Sequence, residues 1–194
     1  MGTENATSDT ITTPEFRASF VYVFRPGKPN DKGQQKYAIT MLFPAGADLT
    51  PMKKAAQDAV IAKWGADPTK WPRNLRSPFR DQGEKTFEGY VAGNKFVTAT
   101  SDRKPGVVDQ KVQPILDESK VYSGCWCRAS VRAFTYSNMG NVGVSFGLQN
   151  VQLIRDDEPL GSRSRPQDDF TPVENAGDQL AGAAAGNSAA SLFE

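Results

Sequence analysis

The sequence predicts a mainly β domain, a small β-barrel decorated with one α-helix and a long loop and followed by a disordered acidic tail. Three observations carry this prediction. Short runs alternating with period two, rich in aromatic and β-branched residues, recur between residues 16 and 154 and are separated by glycine-containing turns. One segment alone combines helical spacing with signals at both ends. Beyond residue 155 eight acids face only Arg163 and Arg165, among scattered Gly, Ala, Ser and Pro. Such a composition cannot bury enough apolar surface to offset chain entropy.

Residues 16–24 set Phe16, Ala18, Phe20, Tyr22 and Phe24 against Arg17, Ser19, Val21, Val23 and Arg25, which predicts the first strand. A turn-rich stretch, residues 26–33, carries Lys28 and Lys32. Residues 36–43 then place Tyr37, Ile39, Met41 and Phe43 on one face, so the two strands form a hairpin across a basic loop. Thr50-Pro51 reads as an N-cap with proline at the first helical position, and Gly65 as the C-terminal stop. Met52, Ala56, Ala59, Val60 and Trp64 give the helix between them an apolar stripe. Residues 68–83 interleave aromatics and arginines without a period, which predicts a long ordered loop. Short strands follow at 89–91 and 96–100, then a turn at 102–106. The longest strand signal covers residues 124–136. The last strand runs from Val142 through Phe146 to Ile154, with a bulge near Asn150 where alternation slips. Five or more strands with one helix suit the oligonucleotide-binding type of barrel, the OB-fold.

The formal net charge of +1 hides two opposed parts, −6 after residue 155 and +7 before it. The predicted organisation is a disordered polar segment at 1–13, an OB-fold domain at 14–155, and a disordered acidic tail with an apolar tip at 156–194. No signal peptide or membrane-length apolar run is present, which predicts a soluble protein located in the cytoplasm. The chain has no histidine, and Cys125 and Cys127 are its two cysteines. Zinc sites of the Cys/His kind and histidine-based catalysis are thereby excluded, and the two thiols read as core residues in a reducing compartment. The acids outside the tail, Asp81, Glu84, Glu88, Asp102, Asp109, Asp117 and Glu118, have no spacing that makes them converge on a metal. The glycines at 140–147 lack the lysine of a phosphate loop. No metal, no cofactor and no enzymatic activity are expected.

Binding single strands without reading sequence needs cations that track phosphates and flat rings on which bases stack. On the long strand, Trp126, Arg128, Arg132 and Tyr136 point one way while Cys125, Cys127, Ala129, Val131 and Ala133 point the other. An alternative puts Trp126 and Phe134 in the core with the arginines lying along its rim. Further candidates for contact with DNA are Arg25, Lys28, Lys32 and Lys36 around the first loop. Trp71, Arg73, Arg76, Phe79 and Arg80 on the long loop, Arg103 and Lys104 on the turn, and Tyr122 complete the set.

Lys104-Pro105, Tyr122-Ser123-Gly124-Cys125 and the run from Asn141 to Gln152 resemble a family of tailed-bacteriophage proteins. That family, formerly a domain of unknown function, comprises phage single-stranded-DNA-binding proteins with an OB-fold, and the resemblance spans most of residues 14–160. It implies a protein that protects single strands during phage DNA replication and recombination in the infected bacterial cell. The acidic tail is similar in kind to tails that compete with DNA for the basic groove and dock replication partners, here through Leu192, Phe193 and Glu194. Its removal is expected to raise affinity and to admit duplex DNA. The competing expectation is a phage virion or assembly protein, for which the basic body and acidic tail would be assembly surfaces.

Overall fold

Alternating side chains give this chain strands with one apolar face each, and the chain buries those faces by closing a ring. The computed structural model describes residues 7–29, 33–138 and 140–161. Among them are the strands β1 (Thr7–Thr12), β2 (Phe16–Tyr22), β3 (Tyr37–Leu42), β4 (Arg80–Asp81), β5 (Lys95–Ser101), β6 (Gly106–Val108), β7 (Trp126–Asn138) and β8 (Asn141–Arg155), and one α-helix, α1 (Thr50–Trp64). The ring runs β2–β3–β5–β8–β7 and closes where Phe16 and Arg17 of β2 pair with Cys127 and Trp126 of β7. All its pairings are antiparallel except β5 with β8, where Ala99 lies beside Phe146. This five-stranded barrel is the OB-fold that the sequence predicts.

Small residues on β7 let the barrel close tightly. Cys127, Ala129, Val131 and Ala133 are buried and face a core that includes Phe16, Ile39, Met41, Phe43, Val97, Phe146 and Leu148. The alternation of β7 is kept throughout, so Trp126, Arg128, Arg132, Phe134 and Tyr136 lie on the outside. Cys125 and Cys127 are free, buried thiols with sulfurs 3.6 Å apart. Their mutual hydrogen bond, together with burial, pushes the Cys127 thiol well above its usual range.

Helix α1 covers one side of the barrel through Met52, Ala55, Ala56, Ala59 and Val60, against β1 and β7. Its cap is Leu49 rather than Thr50, because the Asp48 carboxylate accepts from the Thr50 amide at 2.9 Å and Thr50 is already helical. Gly65, at φ +88°, ends it by donating its amide to Ile61.

Four local expectations are corrected. The segment at 1–13 is not wholly without structure: Thr7–Thr12 is strand β1, an edge strand paired with β7 at Thr10–Arg132 and Ile11–Val131. Its hydroxyls do the work that apolar residues do elsewhere, since Ser8 and Thr13 accept from the β7 amides of Ala133 and Ala129. Residues 89–91 form no strand but a turn, in which Tyr90 donates its amide to Phe87. The first predicted strand breaks at Phe20, whose φ is +47° and where the β2–β3 register slips between Ser19 and Tyr22. Alternation therefore inverts: Val23 is buried, while Phe20 and Tyr22 are 40% and 39% exposed. The tail does not begin at residue 156, because residues 156–161 are bound to the barrel. The β8 bulge is where the sequence puts it, with Val131 opposite Leu148 and Ser130 opposite Asn150.

Candidate nucleic-acid interface

OB-fold barrels bind oligonucleotides on the outer face of their second and third strands and on adjoining loops. Here those strands are β3 and β5. Their outer face carries Thr40 and Thr98, hydroxyls 3.1 Å apart, and Phe96. Residues 85–94 lie across it and complete an edge-to-face ladder of rings. Phe96 meets Tyr90 at 5.8 Å, Tyr90 meets Phe87 at 5.6 Å, and Phe87 meets Phe20 at 5.1 Å. Tyr90 also donates its hydroxyl to Ser19, and burial raises its pKa. The ladder ends in solvent, with Phe87 48% exposed. A buried side chain, Gln82, fixes this crossing loop: its amide nitrogen donates to the carbonyls of Phe43 and Lys95, and its oxygen accepts from the Val91 amide. Asp81 holds the same loop through the Gly83 and Gly93 amides and Lys95, and these bonds, that from Gly93 foremost, keep its carboxyl below the usual range.

The other end of this face is cationic. Tyr22, Lys28, Lys36 and Ala38 border a recess of about 320 Å³. Lys36 also reaches a larger cleft of about 490 Å³ lined by Arg103, Lys104, Thr100, Gly147 and Phe134. In it Lys36 pairs with Asp102 at 3.2 Å, and the Lys104 ammonium stands 5.8 Å from the Phe24 ring. Phe134 lies against Gly147, and Tyr136 lies so close over Gly143 that a β-carbon there would collide with its hydroxyl. Glycines on β8 thus let β7 rings lie flat on the barrel surface.

A strap, residues 156–161, crosses the barrel beyond the end of β8. The Trp126 indole donates to Asp157 at 2.7 Å, and Tyr122 donates its hydroxyl to the Asp157 carbonyl at 2.8 Å. Arg17 donates to the Glu158 carbonyl at 2.7 Å, and the Leu160 amide to Ser123 at 2.7 Å. Gly124, at φ +124°, has no β-carbon because the Glu158 carbonyl occupies that space. The strap ends with the Gly161 amide on the Glu88 carboxylate, one residue from Phe87.

The family model described as Enterobacter phage Enc34, ssDNA-binding protein, matches residues 9–180. The chain belongs to this family. Protein p50 of Acyrthosiphon pisum secondary endosymbiont phage 1 is 34% identical over 149 residues, 72% of this chain and 80% of p50. The fold of this Enc34-family protein is also that of the single-stranded DNA-binding protein from bacteriophage Enc34 in complex with ssDNA. That match has a TM-score of 0.64 at 21% identity and covers 78% of this chain and 89% of the other. For gp2.5, a single-stranded DNA binding protein encoded by bacteriophage T7, the TM-score is 0.56 at 19% identity, covering 88% and 97%.

The residues singled out in the sequence scatter over several surfaces of this family member. Lys28, Lys36, Arg103 and Lys104 gather at the cationic end of the β3–β5 face. Arg80 joins the ladder, its guanidinium 5.3 Å from the Phe96 ring and paired with Glu84. Arg25 pairs with Glu118 at 3.0 Å. Trp71 closes the end of α1 by donating to Gly65, and Phe79 packs edge to face on Phe146, so both are held inward. Arg73 and Arg76 are exposed beside the β7–β8 turn, where the Arg76 backbone pairs with Val142 and Val144. Arg128 pairs with Glu15, Arg132 donates to Thr10, and Trp126 and Tyr122 lie under the strap. Lys32 and the tip residues Leu192, Phe193 and Glu194 lie outside the described residues.

Sequence reasoning missed Phe20, Tyr22, Phe87, Tyr90 and Phe96 as a surface. Phe87 and Tyr90, two aromatics in an otherwise polar stretch, carried a signal. Phe20 carried none, since only the bulge turns it outward.

Proposed function

We propose that this protein binds single-stranded DNA, largely without regard to sequence, along the β3–β5 face. The observation that carries the proposal is the continuity of that face, from the exposed rings of Phe20 and Phe87 through Tyr22 to Lys28, Lys36, Arg103 and Lys104. Rings accept any base, each stack contributing roughly 1–3 kcal/mol, and the cations neutralise phosphates with release of counterions. Membership of the Enc34 family and the likeness in fold to proteins solved as single-stranded-DNA binders support the reading. The role is protective and not enzymatic: the protein coats strands exposed in phage replication and recombination in the host cytoplasm. Among the described residues no group of three or more potential metal ligands converges.

The acidic tail supplies regulation in this proposal. It competes with DNA for the cationic face, and its tip of Leu192, Phe193 and Glu194 docks replication or recombination proteins. Duplex DNA binds once the tail is gone. The test is anisotropy of a labelled thirty-base strand and of its duplex, titrated at low and moderate salt. Preferential, salt-sensitive binding of the single strand is expected. No binding at low salt, with or without the tail, overturns the proposal in favour of an assembly role.

A further inference from the structure

We infer that the strap at 156–161 occupies a second stretch of the nucleic-acid track, with Asp157 holding the place of a backbone phosphate. The inference rests on the proposed single-strand binding. Arg155 stacks on the Trp126 indole at 4.2 Å beneath the strap, and two more arginines flank it, Arg17 as its register partner on β2 and Arg128 two residues on along the same face. Among the described residues the barrel answers them with one carboxylate, Glu15, which Arg155 engages at 2.7 Å and Arg128 at 3.5 Å. Arg17 donates at 3.1 Å to the Gly124 carbonyl, and the strap adds the Asp157 carboxylate to the indole and the Glu158 carbonyl to Arg17.

These are acceptors of the kind a phosphodiester offers, set on a cation-flanked ring of the kind a base stacks on. The strap is held by exchangeable polar contacts, hydrogen bonds from Trp126, Tyr122, Arg17, Leu160 and Gly161. Asp157 is its one side chain bonded to the indole, and the Asp157–Arg17 pair is long, at 3.9 Å. Its direction matters most. The strap ends at Glu88, beside Phe87, so a strand leaving the ring ladder on that side runs along the line the strap now follows, about 20 Å for six extended residues. Displacing the strap would extend the track from Phe87 past Arg17 to Trp126. Long strands would then engage a site that short ones never reach.

The test uses the full-length protein labelled with 5-fluorotryptophan, the Trp126 resonance being assigned from Trp126→Phe. Binding of oligothymidylates is followed by anisotropy in parallel. A thirty-base strand is expected to move the Trp126 resonance, and a six-base strand to bind without moving it. In full-length Asp157→Ala/Leu160→Ala the resonance is expected to move without DNA. That variant should bind the thirty-base strand about five-fold more tightly, near the lower limit of one base stack, with the gain lost when Trp126→Phe is added. Saturated binding of the thirty-base strand with the wild-type Trp126 resonance unmoved overturns this inference alone. Absence of any anisotropy change overturns the single-strand reading, and this inference with it.

Discussion

Phe20 and Phe87 meet edge to face at 5.1 Å although one sits in the first barrel strand and the other in a loop beyond the helix. Phe20 reaches this contact only through a left-handed backbone, φ +47°, which costs a non-glycine residue about 1–3 kcal/mol. Phe87→Ala is expected to weaken single-strand binding by roughly 1–3 kcal/mol while leaving its salt dependence unchanged. Anisotropy titrations across a salt series measure both quantities, and an unaltered affinity would remove the ladder from the interface.

Lys104→Ala should behave in the opposite manner. Loss of one phosphate contact lowers the slope of log affinity against log salt by about 0.7 for a single strand. Wild type and variant should converge as salt rises. A parallel pair of lines would place Lys104 outside the track.

Gln82 ties three backbone groups of separate segments together inside the protein. Gln82→Leu leaves those groups unpaired, and each costs about 1–3 kcal/mol when buried without a partner. Thermal unfolding should show the loss. Binding should fall with it even well below the midpoint, because the loop bearing Phe87 and Tyr90 is no longer pinned.

Ending the chain after Ser162 removes five of the eight acids beyond residue 155 while keeping the strap. Affinity for single strands should increase at low salt, and the gain should shrink as the Debye length falls. Duplex binding should appear in the same range. A truncated protein that binds no tighter than the full chain at low ionic strength would rule out tail competition.

The Trp126 hydrogen bond, with the Glu158 amide behind it, holds the Asp157 carboxyl below its ordinary value of 3.8. A depressed value in the folded state means that the strap's contribution is complete above that ordinary value. It is lost as pH falls through the lower, folded one. The fluorescence difference between wild type and Trp126→Phe should therefore stay constant from neutral pH down to the ordinary carboxylate range and change below it. In Asp157→Asn the difference should not titrate there.

The sequence alone determined the barrel, because inward and outward residues must alternate along any strand that buries one face. The faces of β7, the helix stripe and the bulge near Asn150 followed from that rule, which is local. The basic character of the loops and the family resemblance were legible for the same reason. Polar β1 was not, since its pairing depends on β7 amides that reach Ser8 and Thr13 only after folding. Nor was the interface. Phe20 faces outward because of a bulge that breaks alternation, and Phe87 joins it because Gln82, itself buried, fixes a distant loop. Trp126, conspicuous in the sequence beside its arginines, is covered by residues that composition assigned to the tail. Which rings stack, which cations gather and which are already paired depend on contacts between remote segments, and only the tertiary structure decides those.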